Sequence, residues 1–307
     1  MQPKLFLRFM CTALLSASTA LLGQAVAQEM PADYGAVLKT LDKKGDFKDN
    51  VLKVNIPRND LKVTVEGVAT PTAFGFGGWV AMTKGEGGMQ VLMGDLVLQE
   101  SEINPVMSAL LDNGLEVTAL HNHFFGETPR IFYMHVHGHG DAQDLARRLK
   151  PALALIGSAP APPATTPAAK PQFDTAKLAQ IVGHEGEANG GVYKITIGRD
   201  DLSIREMGAR INSRMGLNTW AAFTGTEQNA AIAGDVAMLD TELQPVLKAL
   251  RKNGLSVVAI HNHMTGTNPA IYFLHYWGKG QAATLASGFR AALDQLGKGS
   301  AQSSAKR

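Results

Sequence analysis

Alternating apolar and polar residues mark strands at 51–56 and 61–65, and again at 192–197 and 202–204. Two further strand stretches, 79–83 and 89–98, flank the hairpin-type turn Gly85-Glu86-Gly87-Gly88. Their counterparts are 220–224 and 230–239. A helix follows each pair. Ser101 and Thr241 stand where a cap is wanted, and Thr241 to Gln244 fits a capping box. Pro105 and Pro245 fall in the first turn, where a missing amide hydrogen costs little. Val106, Leu110 and Leu111 supply an apolar stripe. Asn113-Gly114 and Asn253-Gly254 end the helix, because glycine accepts the left-handed conformation there. Strand formers then fill 115–124 and 130–137, and 255–264 and 270–277, each pair joined across a Gly-to-Pro turn. Opening helices capped by Asp33 and Asp174, with closing helices over 141–155 and 282–296, complete the pattern.

The order helix, four strands, helix, two strands, helix thus occurs twice. Residues 100–140 align with 240–280 at an offset of 140, pairing Glu102 with Glu242, Pro105 with Pro245 and Gly138 with Gly278. Upstream the offset is 141, where Arg58 meets Arg199 and Gly67 meets Gly208. A one-residue indel is therefore expected near residues 68–79. The fold class expected is α+β: two homologous domains, each a mainly antiparallel sheet with helices on one face, a variant of the ferredoxin-like arrangement. The domains span 28–156 and 172–297. Residues 157–171 form a Pro/Ala-rich spacer of restricted, extended chain. Residues 298–307 read as a disordered tail.

Composition narrows the setting. Lys4 and Arg8 precede an apolar run from Met10 to Leu22, and Ala25-Val26-Ala27 has the small-x-small pattern of a signal peptidase site. Residues 1–27 are thus expected to be a signal peptide, and the mature chain a secreted, periplasmic protein. The single cysteine, Cys11, lies in the leader, so the mature chain has neither disulfides nor thiolate ligands. No mature segment is apolar for long enough to span a bilayer. A formal net charge of +2 gives no argument for nucleic acid, and no nucleotide or flavin motif is present.

The chemistry sits in the histidines. Of the nine, six recur as two triplets: His121, His123 and His135, then His261, His263 and His275. Alternate strand residues share a face, so His121 and His123 point together and Asn122 points away to hold loop backbone. If the hairpin sets His135 opposite His121, three imidazoles converge within one hairpin, and His137 offers a fourth in the first copy. That is the ligand set of an open metal site, for a divalent transition metal with zinc foremost. The second copy has Trp277 where the first has His137, so the two sites need not be alike. Without metal, the same residues suit acid–base work or ligand binding, or belong to a non-catalytic small-ligand or envelope-associated structural module. Asp95 and Asp235 are read first as turn or strand-edge residues and second as partners orienting a histidine. Glu102 and Glu242 are read as favourable charges at a helix start. The scattered methionines, Met82 and Met93 among them, are read as core filling rather than copper ligands.

Leu115 to His123, then Gly126 to His135, then Gly138-His139-Gly140, together with their repeats at 255–280, resemble the LppY/LpqO family, also called the DUF1259 domain. The resemblance covers 31–156 and 172–297. It implies secretion and a shared site rather than a reaction. The family name describes lipoproteins, but Cys11 lacks a lipobox context, so the resemblance does not extend to a lipid anchor. Expected partners are a small molecule or a cell-envelope component, and any enzymatic role is left open, with metal-activated water as the chemistry of choice.

Overall fold

The computed structural model describes residues 28–157 and 170–298. The expected signal peptide, most of the expected spacer and all but the first residue of the expected tail lie outside the described residues. The first half contains α1 (Ala32–Leu41), β1 (Asp46–Lys48), β2 (Val51–Pro57), β3 (Val63–Val65), β4 (Val68–Thr70), β5 (Gly77–Lys84), β6 (Gln90–Gln99), α2 (Glu100–Asp112), β7 (Glu116–His121), β8 (Glu127–Thr128), β9 (Ile131–Gly140) and α3 (Ala142–Leu153). The second half contains α4 (Thr175–Val182), β10 (Glu187–Asn189), β11 (Val192–Gly198), β12 (Ile204–Glu206), β13 (Ala209–Ile211), β14 (Asn218–Gly225), β15 (Ala230–Leu239), α5 (Asp240–Lys252), β16 (Ser256–His261), β17 (Ile271–Gly280) and α6 (Ala282–Leu293).

Each half builds a six-stranded sheet, ordered β1-β2-β5-β6-β9-β7 and β10-β11-β14-β15-β17-β16. Every pairing in both sheets is antiparallel. The four strands β5-β6-β9-β7 with α2 and α3 make a ferredoxin-like sheet whose last strand has moved to the front of the chain. The fold is therefore α+β as expected. The one-residue indel sits elsewhere than expected. Trp79 of β5 matches Trp220 at offset 141, whereas Asp95 of β6 matches Asp235 at 140. The change falls in the β5–β6 turn, the cheapest place to lose a residue because no ladder hydrogen bond is broken.

All three helices of a half cover one sheet face. In the first half Tyr34, Val37, Val106, Leu110, Leu145 and Leu149 pack onto Leu52, Val80, Leu92, Met134 and Val136. Met82, Met93 and Met134 are buried core residues. Helix ends differ from expectation in detail. Ser101 and Thr241 lie inside the first turn rather than at the cap, because Glu102 and Glu242 accept from the amides of Gln99 and Leu239 one turn earlier, at 2.7 and 2.8 Å. Asp33 likewise sits within α1, while Asp174 does cap α4, accepting from the Lys177 amide.

The other sheet face decides the architecture. Each half sends a small tongue onto the bare face of the other, three-stranded in the first half (β4-β3-β8) and two-stranded in the second (β12–β13). Val63, Val65, Phe74, Phe76 and Phe124 pack on Val192, Ala222, Ala231 and Ala233, with Trp277 between them. Reciprocally, Ile204, Ala209, Ile211, Met215 and Leu217 pack on Val51, Ala81, Val91 and Met93. The halves are thus clasped face to face about a pseudo-two-fold axis. The tongue tip is also tied to its neighbour by polar contacts: the Glu86 amide donates to the Met207 carbonyl at 2.8 Å, and Lys279 Nζ lies 3.3 Å from Glu66 Oε2.

Two buried arginines brace this arrangement. Arg58 donates to Asp60, Glu102 and the Val97 carbonyl, and Arg199 repeats the set with Asp201, Glu242 and Ala237. Glu102 and Glu242 therefore do more than sit at a helix start, since each pins the end of a strand to the first turn of a helix. Paired charge and saturated donors make a buried guanidinium tolerable.

Candidate metal centre

In the first half, β9 lies between β6 and β7. His121 pairs with Tyr133, and His135 pairs with Ala119. This register is two residues from the one that would set His135 against His121. A shift of two keeps the face, so His121 and His135 still point to the same side. The second half is identical, with His261 against Phe273 and His275 against Ala259. β7 ends at His121, so strand alternation does not place His123. Asn122 does so by donating its amide to the Ile131 carbonyl at 2.7 Å, and Asn262 to Ile271 at 2.8 Å. Both asparagines thus hold loop backbone, as read from the sequence.

The face that carries the histidines is the face that meets the other half. One expectation is corrected here: the two hairpins do not make two separate sites. Their six rings form one cluster across the pseudo-two-fold axis. His121 stacks on His261 at 3.8 Å between ring centroids, His123 on His275 at 3.5 Å, and His135 on His263 at 4.1 Å. Rings of the same half stand further apart, as at 5.2 Å for His121 and His123 and 5.1 Å for His121 and His135. Donor atoms within 4.8 Å of one another come as His121, His123 and His275, as His121, His135 and His261, and as Asp235, His261 and His263. The two all-histidine groups mix the halves.

The tautomers of two members are set by backbone. His135 Nδ1 faces the Gly94 carbonyl at 3.2 Å and His275 Nδ1 faces that of Gly234 at 3.1 Å. A carbonyl only accepts, so Nδ1 carries the proton and Nε2 keeps its lone pair. Both Nε2 atoms are buried without a partner, as are both ring nitrogens of His121, His123 and His261 and Nδ1 of His263. Buried polar atoms in folded proteins nearly always have partners. Several of them gathered from two hairpins make a donor set that could hold a metal ion. Burial holds these rings in the neutral form a ligand needs. It pushes His123, His135 and His261 well below the usual imidazole range, with neighbouring imidazoles adding to it, and takes His263 to about 3. Tyr133 and Phe273 stack flat on His123 and His263, at 3.2 and 3.4 Å, and fix their ring planes.

His137 is not part of this cluster. It shares a face with His135 but lies one pleat further along β9, where the second half's tongue covers it. Its Nε2 is 3.0 Å from Glu206 Oε1 and its Nδ1 is 3.7 Å from Glu116 Oε2. Burial pulls its pKa down, but the two carboxylates outweigh burial and hold it above the usual range. His137 is therefore half of an ion pair, not a fourth ligand. The expectation for the aspartates is corrected as well. Asp95 and Asp235 occupy central strands, directly opposite His135 and His275. Asp235 accepts from the Leu274 amide at 3.0 Å and lies 3.5 Å from His263 Nε2. Asp95 Oδ1 has no partner. Burial, reinforced by the nearby Asp235, pushes Asp95 up to about 8.

A cavity of about 230 Å³ adjoins the cluster, bounded by His123, His263 and His275 on one side. Lys53, Lys194, Trp79 and Trp220 line it as well, with Trp220 6.4 and 6.3 Å from the rings of His123 and His275. Each ammonium lies over an indole, at 4.4 Å for Lys53 on Trp79 and 4.1 Å for Lys194 on Trp220. Burial lowers both lysines to about 8. Sequence reasoning passed over these four residues, although they were detectable: a lysine repeated inside two apolar strands, and a tryptophan repeated at the same offset. A larger cleft of about 880 Å³, lined by Tyr34, Arg205, Arg210 and Arg214 among others, contains none of the histidines.

Fold and site define a duplicated α+β protein whose two copies share one histidine centre. The family model described as Domain of Unknown Function (DUF1259) matches residues 35–155 and 176–295, so the chain belongs to the DUF1259 family, in two tandem copies. No curated protein matches the chain. Among solved structures, the chain is similar to the trimeric bacterial microcompartment shell protein PduB at 11% identity and a TM-score of 0.22, over 85% of this chain and 93% of that one. It is similar to EtuB from Clostridium kluyveri at 9% identity and a TM-score of 0.21, over 83% and 91%. The double-ringed trimeric shell protein MSM0271 follows at 14% identity and 0.19, over 67% and 82%. Scores of this size transfer nothing from those proteins to this chain. No helix among the described residues is long and apolar enough to cross a membrane.

Proposed function

We propose that the protein is an exported metal-binding protein in which the two halves jointly hold two divalent transition-metal ions. His121, His123 and His275 make one ligand set. His261, His263 and His135, with Asp235 beside them, make its pseudo-symmetric counterpart. The reading rests on the buried, partnerless ring nitrogens of these six residues. It is supported by the matched spacing of the sets: His121 to His275 is 5.1 Å and His261 to His135 is 5.3 Å between ring centroids. Three neutral imidazoles and an open position suit zinc first, and the carbonyls of Gly94 and Gly234 supply the outer hydrogen bonds that orient a ligating imidazole. Such a site, when loaded, supplies a Lewis acid and a water of lowered pKa. The leader-like pattern at residues 1–27 supports export to the periplasm, where a cysteine-free ligand set is indifferent to oxidation.

Metal analysis of the purified mature protein tests the reading. About two equivalents of metal per chain are expected after reconstitution, and about one in His123→Ala or His263→Ala. Less than about a tenth of an equivalent of any transition metal in the reconstituted wild type would sink the proposal. Chelation should lower the melting temperature, since a ligand bound only to the folded state stabilises it.

A further inference from the structure

The cavity beside the histidines has a second charged wall that the metal reading leaves unused. Lys53 sits on β2 and Lys194 on β11, at equivalent positions of the two sheets, so the pseudo-two-fold axis brings both to one chamber. Among the described residues neither ammonium has an ion-pair or hydrogen-bond partner. The close contact of each is an indole face. A cation–π contact steers an ammonium without neutralising it. Both lysines are half-buried, and taking a charge partly out of water has a cost that a group of opposite sign offsets. Asp95 and Asp235 line the same chamber, each between an indole and a histidine on the neighbouring strands, and their two charges at most balance the two lysines. Metal ions on the imidazoles then leave the chamber with a net positive charge. Asn55 and Thr196, also at equivalent positions, add hydrogen-bonding groups to the wall. The volume of about 230 Å³ is below the roughly 300–1,000 Å³ of pockets for drug-sized ligands.

We infer that this chamber binds a small organic or inorganic anion, carboxylate- or phosphate-bearing, held between Lys53 and Lys194 at one end and the histidine-bound metal at the other. The inference rests on the metal reading and adds the class of substrate to it. The indoles of Trp79 and Trp220 clamp the ligand's sides and keep the ammonium groups aimed inward. Long cationic or neutral ligands are excluded by size and sign.

The test uses the full mature chain reconstituted with cobalt(II), titrated with inorganic phosphate, with succinate and, as a neutral control, with glycerol. The cobalt spectrum reports the metal end. Tryptophan fluorescence reports the lysine end, because two of the three tryptophans touch the ammonium groups. Saturable changes in both signals are expected with at least one anion and not with glycerol. The double variant Lys53→Met, Lys194→Met removes two half-buried charges while keeping the side-chain bulk. It should bind the same cobalt and lose anion affinity by about tenfold or more, the scale of one lost charge-assisted contact. Its melting curve checks that it is folded, and Lys53→Arg, Lys194→Arg should keep measurable affinity. Full cobalt loading with no saturable anion response, or an unchanged affinity in the methionine variant, overturns this inference and leaves the metal reading standing. A wild-type chain that takes up no cobalt overturns both.

Discussion

The two flanks of the histidine cluster are related by the pseudo-two-fold axis but are built of different matter. On one side the first half's tongue lays Phe74, Phe76 and Phe124 on a sheet floored with Ala222, Ala231 and Ala233, and Trp277 fills the remaining space, edge-on to Phe74 and Phe124. On the other side the tongue brings Met215 and Leu217 onto Ala81, Val91 and Met93, and the position of Trp277 is taken by His137, paired with Glu206. Floor and filler have changed together. Where the floor shrank to alanine the filler grew to rings, and where the floor kept valine and methionine the filler stayed slender. The lesson is that divergence between the copies has been absorbed at the flanks while the six central histidines stayed matched. One flank fills its interior with apolar rings and meets charge only at the exposed Lys279–Glu66 pair, whereas the other carries the buried His137 in its interior, paired with Glu206.

That contrast can be broken from either side. The largest effect is expected from Trp277→Ala, which empties the ring-filled flank and should cost about 3–5 kcal/mol of stability in denaturant unfolding. A cost under about 1 kcal/mol would mean that the aromatic flank is not close-packed. His137→Trp copies the second half's filler onto the wrong floor. It should cost about 1–3 kcal/mol through overpacking, in addition to leaving Glu206 without its partner. Stability equal to wild type would show that the floors are interchangeable. In neither variant should metal stoichiometry change by more than the error of analysis, because neither residue lies in the cluster.

The remaining effect concerns pH, and it has opposite signs at the two places. The His137 pKa is raised in the folded state, so its ion pair stabilises fully below the unfolded value of about 6.5 and that contribution fades as pH rises through the raised value. The cluster imidazoles are lowered, His263 to about 3, so in metal-free protein the unfolded state takes up protons first and stability falls as pH drops from 6.5 toward 3. Melting temperatures of the metal-free wild type and of His137→Phe, followed between pH 4 and 8, separate the two: only the high-pH slope should flatten in the variant. Loss of the acid slope instead would assign the titration to the wrong histidine.

Much of the fold was written in local pattern. Helix caps, the Asn-Gly stops and the period-two strands depend on neighbours in sequence, so α2, β9 and their repeats were readable within a few residues. The face shared by His121 and His135 was readable too, since an error of two in register leaves it intact. What lay beyond reach was tertiary. Nothing local says that the bare face of one sheet will meet the bare face of the other, so two sites were expected where there is one centre. His137 was misassigned for the same reason: only the docked tongue brings Glu206 to it. Lys53 and Lys194 could be seen to repeat inside two apolar strands, but only the docking brings them to a common chamber.

The reciprocal tongues carry a further consequence for how this chain came about and how it comes apart. Patch meets the equivalent patch, which is the isologous contact of a two-fold homodimer, here with both protomers in one polypeptide. An unfused ancestor of either half would have assembled its centre only as a pair. A spacer between the copies would then act as a tether that sets the local concentration of each half near the other. Cutting it after folding should leave the centre intact, whereas separating the halves should erase it.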